Sequence, residues 1–167
     1  DWDKLNWLNG QVLHALPAQQ LLDDLRPLWA EQGWALPHDS SWGLELCELL
    51  GPSLTLLKDG VEQATPFFKC PDLEDDGVRQ LEADGARTAV AQLLQLLEAE
   101  PWDGKNTDRA KQLLGDTAQG AGVKKGVVMK SLRAALLGRL QGPDLITTWC
   151  LLARIGEDLP RLQRCLA

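Results

Sequence analysis

Leucine dominates this chain. Of 167 residues, 34 are leucine, against 7 valines and 2 isoleucines. Strands are built from β-branched and aromatic side chains, whereas leucine loses little rotamer freedom on entering a helix. The skew predicts an all-α fold, and no segment reads as a convincing strand. The length suits one domain or two small ones sharing a core. Hydrophobic residues at 44% and charged residues at 25% exclude a disordered chain. No apolar run approaches the ~20 residues that a bilayer-spanning helix needs. The opening DWDKLNW has neither the basic start nor the apolar stretch of a signal peptide, so a cytoplasmic protein is expected. It also lacks a starting Met, and the expectation is a fragment or a processed product.

Helix signals punctuate the chain from end to end. A first helix is predicted over 4–16, closed by Pro17, which then opens the second. Leu21, Leu25, Leu28 and Trp29 form one stripe on that second helix, and Gly33 ends it. Asp39 or Ser40 is expected to cap a third helix running to Leu50, which Gly51-Pro52 breaks. A fourth segment is read over about 53–64. The stretch TPFFKCPDLEDDG, 65–77, with two prolines and a charge run, is the best loop and the best boundary. Val90, Leu93, Leu94 and Leu97 mark a long helix ending before Pro101. Thr107 or Asp108 is expected to cap the next, to about Gly120, with Gly120-Ala121-Gly122 as a hinge. Short helices follow at about 126–140, 143–155 and 158–166. The architecture expected is two consecutive helical bundles, 1–70 and 71–167.

Charge is divided unevenly. The net charge is −7, which taken whole disfavours nucleic acid and anionic membranes. Residues 120–167 nevertheless carry eight cations and three anions, while residues 1–119 carry nine cations and twenty-one anions. An RNA partner would be held by the C-terminal third.

The catalytic inventory is thin. There is no phosphate-cradling glycine loop, no G-x-S-x-G and no H-E-x-x-H. His14 and His38 stand apart, and His14 on its leucine-rich helix reads as a hydrogen-bonded structural imidazole. The DLEDD run at 72–76 lacks calcium-loop spacing and reads as a solvated acidic loop. Cys47, Cys70, Cys150 and Cys165 form no C-x-x-C pair and read as small buried thiols in a reducing compartment, with a structural disulfide as the minor reading. No catalytic residue and no metal ligand is assigned.

Binding is better supported. Lys124, Lys125 and Lys130 lie at or near the start of a helix, where cations oppose the macrodipole. Backbone phosphates would explain them; a solvent-exposed basic loop would too. Arg133 sits between leucines that face the core, and its planar fork suits phosphates and base edges, or an internal ion pair, for example with Asp144 or an acidic residue of the first bundle.

Two blocks and a helix break carry a family resemblance. The opening DWDKLNWLNGQ resembles a D-x-x-K-L-x-W-x-N stretch, with Lys4, Leu5, Trp7 and Asn9 in register. GVKKGVVMKSLRAALLGRLQGPDL, followed by LLARIGEDLPRLQRCL, resembles G-V-K-x-G and L-R-x-A-L-x-G followed by a Pro-containing turn and a last helix. ELLGPSLTLLKD resembles the break after a third helix. Over essentially its whole length the chain resembles the C-terminal, anticodon-binding region of bacterial-type glutamyl-tRNA synthetases.

That resemblance implies a two-part helical module gripping the anticodon loop of tRNA-Glu. The parent would be a class I ligase joining glutamate to tRNA with ATP and Mg, and a monomer. DNA and membranes are not expected partners. The H-I-G-H-like and K-M-S-K-S-like motifs of the parent's nucleotide-binding domain are absent here, so this chain alone should be inactive and hold no cofactor. Arg133 matches the family's arginine near the anticodon loop; Pro143 and Leu145 match the turn on which bases pack. Gly142 and Gly115 depart from relatives that carry Thr and Arg there. At the break, relatives restricted to tRNA-Glu carry R-P-R. Gly51 and Ser53 flank Pro52 at those positions, so relaxed discrimination, with tRNA-Gln as a second substrate, is expected. A rival reading is a helical protein-interaction adaptor with no RNA role.

Overall fold

The computed structural model describes all 167 residues, and they form ten α-helices and a single 3-10 turn, with no strand. The chain divides into two compact units, Asp1–Lys69 and Cys70–Ala167.

The first unit contains α1 (Trp2–Ala15), α2 (Ala18–Glu31), α3 (Trp42–Leu50), the 3-10 turn Gly51–Ser53 and α4 (Asp59–Phe68). Leu21, Leu22, Leu25 and Trp29 are the buried face of α2. Leu28, expected in that stripe, is only half-buried, and Leu22 takes its place. Phe68 gathers three indoles, with ring centroids 5.2 Å from Trp29, 5.0 Å from Trp34 and 5.6 Å from Trp42. The Trp29 Nε1–H donates to the Gly60 carbonyl at 3.1 Å, so a deeply buried indole keeps its hydrogen bond. His14 Nε2 lies 3.0 Å from the Leu54 carbonyl, the structural role expected of it; the proton must sit on Nε2.

The second unit contains α5 (Asp75–Glu82), α6 (Ala86–Ala99), α7 (Thr107–Ala121), α8 (Lys125–Leu137), α9 (Leu145–Arg154) and α10 (Asp158–Arg164). Helix α8 is its axis, packed against α5, α6, α7, α9 and α10, with Val128, Leu132 and Ala134 through Leu137 buried. Asp158, 4% exposed, accepts from Trp149 Nε1 at 3.1 Å and from Trp102 Nε1 at 3.4 Å. The two rings pack at a centroid distance of 4.8 Å.

Several expectations are corrected. Residues 65–68 finish α4 in spite of Pro66, and 75–77 begin α5, so the loop shrinks to 69–74. An interior proline costs a helix about 3 kcal/mol. Fully burying an aromatic side chain contributes roughly 1.5–3 kcal/mol, and Phe67, next after Pro66, is buried, while half-buried Phe68 stacks on Trp34. The fourth segment accordingly runs later than 53–64. Asn106 caps α7, its side chain accepting from the Asp108 and Arg109 N–H groups, in place of Thr107 or Asp108. The 120–122 hinge is the end of α7 with a left-handed Gly122 as its stop. Cys47 and Cys150 are buried as expected, but Cys70 is exposed because it lies in the loop; none of the four cysteines forms a disulfide.

Candidate nucleic-acid interface

Helix α8 presents one face to water. Lys124 is its N-cap, Lys125 its first residue, and both are exposed, as are Gly126, Met129 and Lys130. No ion pair engages the three lysines. Met129, Lys130 and Arg133 are spaced three and four residues apart and so neighbour one another along the helix. Met129 is 37% exposed, which makes it the one large apolar side chain outside α1 that stands in water. Sequence reasoning passed over it; its signal was an unbranched apolar residue i−4 to Arg133 among lysines.

Arg133 is held. Its Nη1 donates to the Pro143 carbonyl at 2.7 Å, tying α8 to the turn before α9. Burial lowers the guanidinium's pKa, and nearby Asp144 opposes that effect. The ion pair considered as its alternative role is therefore a through-space attraction, while the direct partner is a carbonyl. A Cβ at Gly142 would come within 2.7 Å of Leu137 Cδ1 and 3.3 Å of Arg133 Nη1, so glycine leaves the guanidinium its space. Asp144 caps α9 by accepting from the Thr147 N–H at 2.9 Å.

The turn is braced from its other side. The Glu74 N–H donates to the Gly138 carbonyl at 2.7 Å, and the Leu140 N–H donates to Asp76 Oδ2 at 3.2 Å. Neither Gly77 nor Gly138 has room for a Cβ, because each would overlap a backbone carbonyl of the opposing segment. The acidic run expected to be free in solvent is thus partly structural: Asp76 fixes the turn that follows α8.

Not every predicted position faces outward. Pro143 is half-buried and shapes the turn surface. Leu145 is 4% exposed; as the first residue of α9 it points into the core, so the packing surface expected of it is closed. The cationic tail also shrinks. Arg161, 1% exposed, donates from Nη1 to the Leu136 carbonyl at 2.8 Å and pairs with Glu157 at 3.3 Å. Arg164 donates to the Ala135 carbonyl at 3.2 Å and to Pro71 at 2.6 Å. The last four carbonyls of a helix lack intrahelical donors and carry the negative end of its dipole. Two arginines therefore serve the end of α8 from inside.

In the first unit, Gly51 is buried and Ser53 exposed on the 3-10 turn. The Ser53 hydroxyl lies 2.9 Å from the Leu50 carbonyl, to which it can donate, and it also contacts Gln63. Gly51 has ordinary helical dihedrals, and a Cβ there would make ordinary contact with Leu21 at 3.4 Å. There is therefore room for a Cβ at Gly51, and Ser53 stands in solvent. No group of three or more His, Cys, Asp or Glu side chains gathers to hold a metal ion, and no helix is long and apolar enough to cross a membrane.

The family described as the anticodon binding domain matches residues 20–166. The chain belongs to this family. It is 95% identical over its full length to a glutamate–tRNA ligase of Parasynechococcus marenigrum, of which it spans 35%, and 68% identical to one of a Synechococcus species, again spanning 35%. It thus spans about a third of the length of these curated relatives. Among solved structures it is similar to a glutamate–tRNA synthetase from Elizabethkingia anophelis, at 25% identity and a TM-score of 0.77, covering 96% of this chain and 30% of that one. A glutamate tRNA ligase from Elizabethkingia meningosepticum, crystallised in complex with its amino acid, shares the fold at a TM-score of 0.83 and 22% identity, covering 96% and 31%. The all-helical expectation and the family resemblance are borne out, and the adaptor reading is not favoured.

Proposed function

We propose that this chain is the anticodon-holding part of a glutamate–tRNA ligase. The observation that carries the reading is the exposed stripe of α8 in a chain of the anticodon binding domain family: three cations without internal partners, an exposed thioether and a positioned guanidinium on one face. Lysines attract phosphates. Unpaired anticodon bases can splay out, stack on apolar or cationic surfaces and be read on their edges. Lys124, Lys125, Lys130, Met129, Arg133 and Pro143 are the assigned contacts, with Leu145 supporting the turn from beneath.

The partner is tRNA-Glu, with tRNA-Gln as a second substrate. A site that hydrogen-bonds a base rejects the wrong one because its donors are left unpaired. Gly51 and Ser53 impose little such penalty, and at Gly51 a Cβ would make only ordinary contact with Leu21. The parent acts in the cytoplasm as a monomer, with ATP and Mg held outside this region, and no step of that chemistry is assigned to these residues.

The test is glutamylation of tRNA-Glu and tRNA-Gln by a ligase carrying this region. Comparable charging of both supports the reading, and Ser53→Arg should then depress charging of tRNA-Gln selectively. Strong preference for tRNA-Glu overturns the relaxed discrimination. If neutralising Lys124, Lys125 and Arg133 together leaves aminoacylation untouched, the anticodon assignment itself is wrong.

A further inference from the structure

Two of the four cysteines come together at the edge of the second unit. Cys47 and Cys150 are buried, whereas Cys70 is exposed in the 69–74 loop and Cys165 is half-buried as the C-cap of α10. Arg164 links their surroundings. Its Nη1 donates to the Pro71 carbonyl at 2.6 Å, and the Cys70 Sγ lies 3.8 Å from that same carbonyl. The same guanidinium hydrogen-bonds the Cys165 sulfur, whose thiol donates to the Arg161 carbonyl at 3.3 Å. One carbonyl and one guanidinium thus stand between the two sulfurs, and Cys70 is close enough to act on Cys165 through space. A second guanidinium is beside them. Burial lowers the pKa of Arg161, and among the groups that oppose this Cys70 comes first, ahead of Glu157. The Nε atoms of Arg161 and Arg164 are buried donors without a hydrogen-bond partner. Thiolate is the form of cysteine that reacts, and cationic neighbours favour it. Unpaired N–H donors are also what a sulfur anion or a sulfenate oxygen requires.

We propose that Cys70 and Cys165 are a peroxide-responsive thiol pair that closes to a disulfide between the 69–74 loop and the end of α10. Cys70, the exposed thiol, attacks a hydroperoxide as its thiolate. Its sulfur gains a hydroxyl, the O–O bond breaks, and the thiol's proton leaves on the departing oxygen; Cys70 becomes a sulfenic acid. The Cys165 sulfur then attacks the Cys70 sulfur. The S–O bond breaks, and the hydroxyl leaves as water with the proton of Cys165. The two thiols lose two electrons in all, and the peroxide gains them. A disulfide needs its Cα atoms within ~7 Å. Cys70 lies in a loop, and Cys165 closes α10 and is followed by a turn, so the adjustment opens no packed helix. The closed bond ties α10 to the loop that leads into Glu74 and Asp76, the residues bracing the turn after α8. In a reducing compartment such a bond is transient, and thiols restore the open pair.

The proposal does not rest on RNA binding, and its test contains no RNA. The reduced 167-residue chain is treated with hydrogen peroxide, quenched with catalase, alkylated in denaturant and digested for mass spectrometry. Titratable thiols should fall from four to two per chain. The Cys70 and Cys165 peptides should appear joined, lighter by two hydrogens than their reduced parts, and dithiothreitol should separate them. Cys165→Ser, with its helical circular dichroism unchanged, should accumulate a sulfenic acid at Cys70 that dimedone traps. Cys70→Ser should leave Cys165 reduced. The same treatment in urea should abolish the preference for this pair. Dimers linked through Cys70, or Cys70 passing to sulfinic acid while Cys165 stays reduced, overturn the proposal. So does an equal yield of the Cys70–Cys165 bond in urea, since the fold would then not be what brings the two sulfurs together.

Discussion

Arg133 Nη1 and the Pro143 carbonyl, 2.7 Å apart, join α8 to the turn before α9. The bond makes a cation part of the scaffold that shapes the proposed RNA surface. Arg133→Lys keeps the charge but loses the planar fork that orients the donor. Stability should fall by about 1–2 kcal/mol, the worth of a charge-assisted hydrogen bond, read as a lower Tm. Affinity for an anticodon stem–loop should fall with it. An unchanged Tm would show that the bond is not formed in solution.

The exposed lysines should behave in the opposite way. Lys124→Gln, Lys125→Gln and Lys130→Gln together remove no internal partner, so stability should stay within roughly 0.5 kcal/mol. RNA affinity should drop, and the slope of log K against log salt should become shallower by about 2, at ~0.7 per phosphate released from a single strand. Isothermal titration at several salt concentrations reads this directly. A parallel downward shift with no change of slope would mean that the lysines do not meet phosphates.

Two glycines should separate conformational entropy from close approach. Gly77→Ala drives a methyl into the Gly138 carbonyl, backbone that cannot give way, and should cost more than about 3 kcal/mol. Gly115→Ala sits in the interior of α7 with no atom within 4 Å of the added carbon. It should stabilise the protein by up to about 1 kcal/mol through helix propensity. Urea melts of the two variants should therefore move in opposite directions.

These contrasts show what the sequence could and could not disclose. Helix class was legible because leucine outnumbers β-branched residues, and most helix ends were legible because Pro17, Gly51-Pro52, Pro101 and Gly122 punctuate them. The continuation of α4 through Pro66 was not, since it depends on the tertiary burial of Phe67 and on Phe68 meeting three tryptophans. Helix α5 was hidden inside an acidic run. A count of charges also could not tell Arg161, buried against the carbonyls ending α8, from Lys125 in open water. Local pattern gives the elements; which face of each element meets a partner is decided by residues far away in the chain.

Cys47 makes the chain sensitive to alkali. The residue is 1% exposed, and burial pushes its thiol up to about 12, with Arg26 opposing and Glu48 assisting. The raised value means that the folded state favours the neutral thiol. Below pH 9 the thiol is protonated whether the chain is folded or not, and the stability is present in full. Between there and the folded value, the unfolded chain gives up the proton while the folded one keeps it. Stability should therefore fall by about 1.4 kcal/mol per pH unit across that window. Burial raises Cys165 in the same direction, with Arg164 opposing. The chain has no tyrosine, so no phenol titrates across the same range. Urea melts at steps from pH 8 to 11 should show the decline, and Cys47→Ala should flatten it after costing about 1 kcal/mol for the lost buried sulfur. A decline that persists unaltered in Cys47→Ala would assign the alkaline loss to another group.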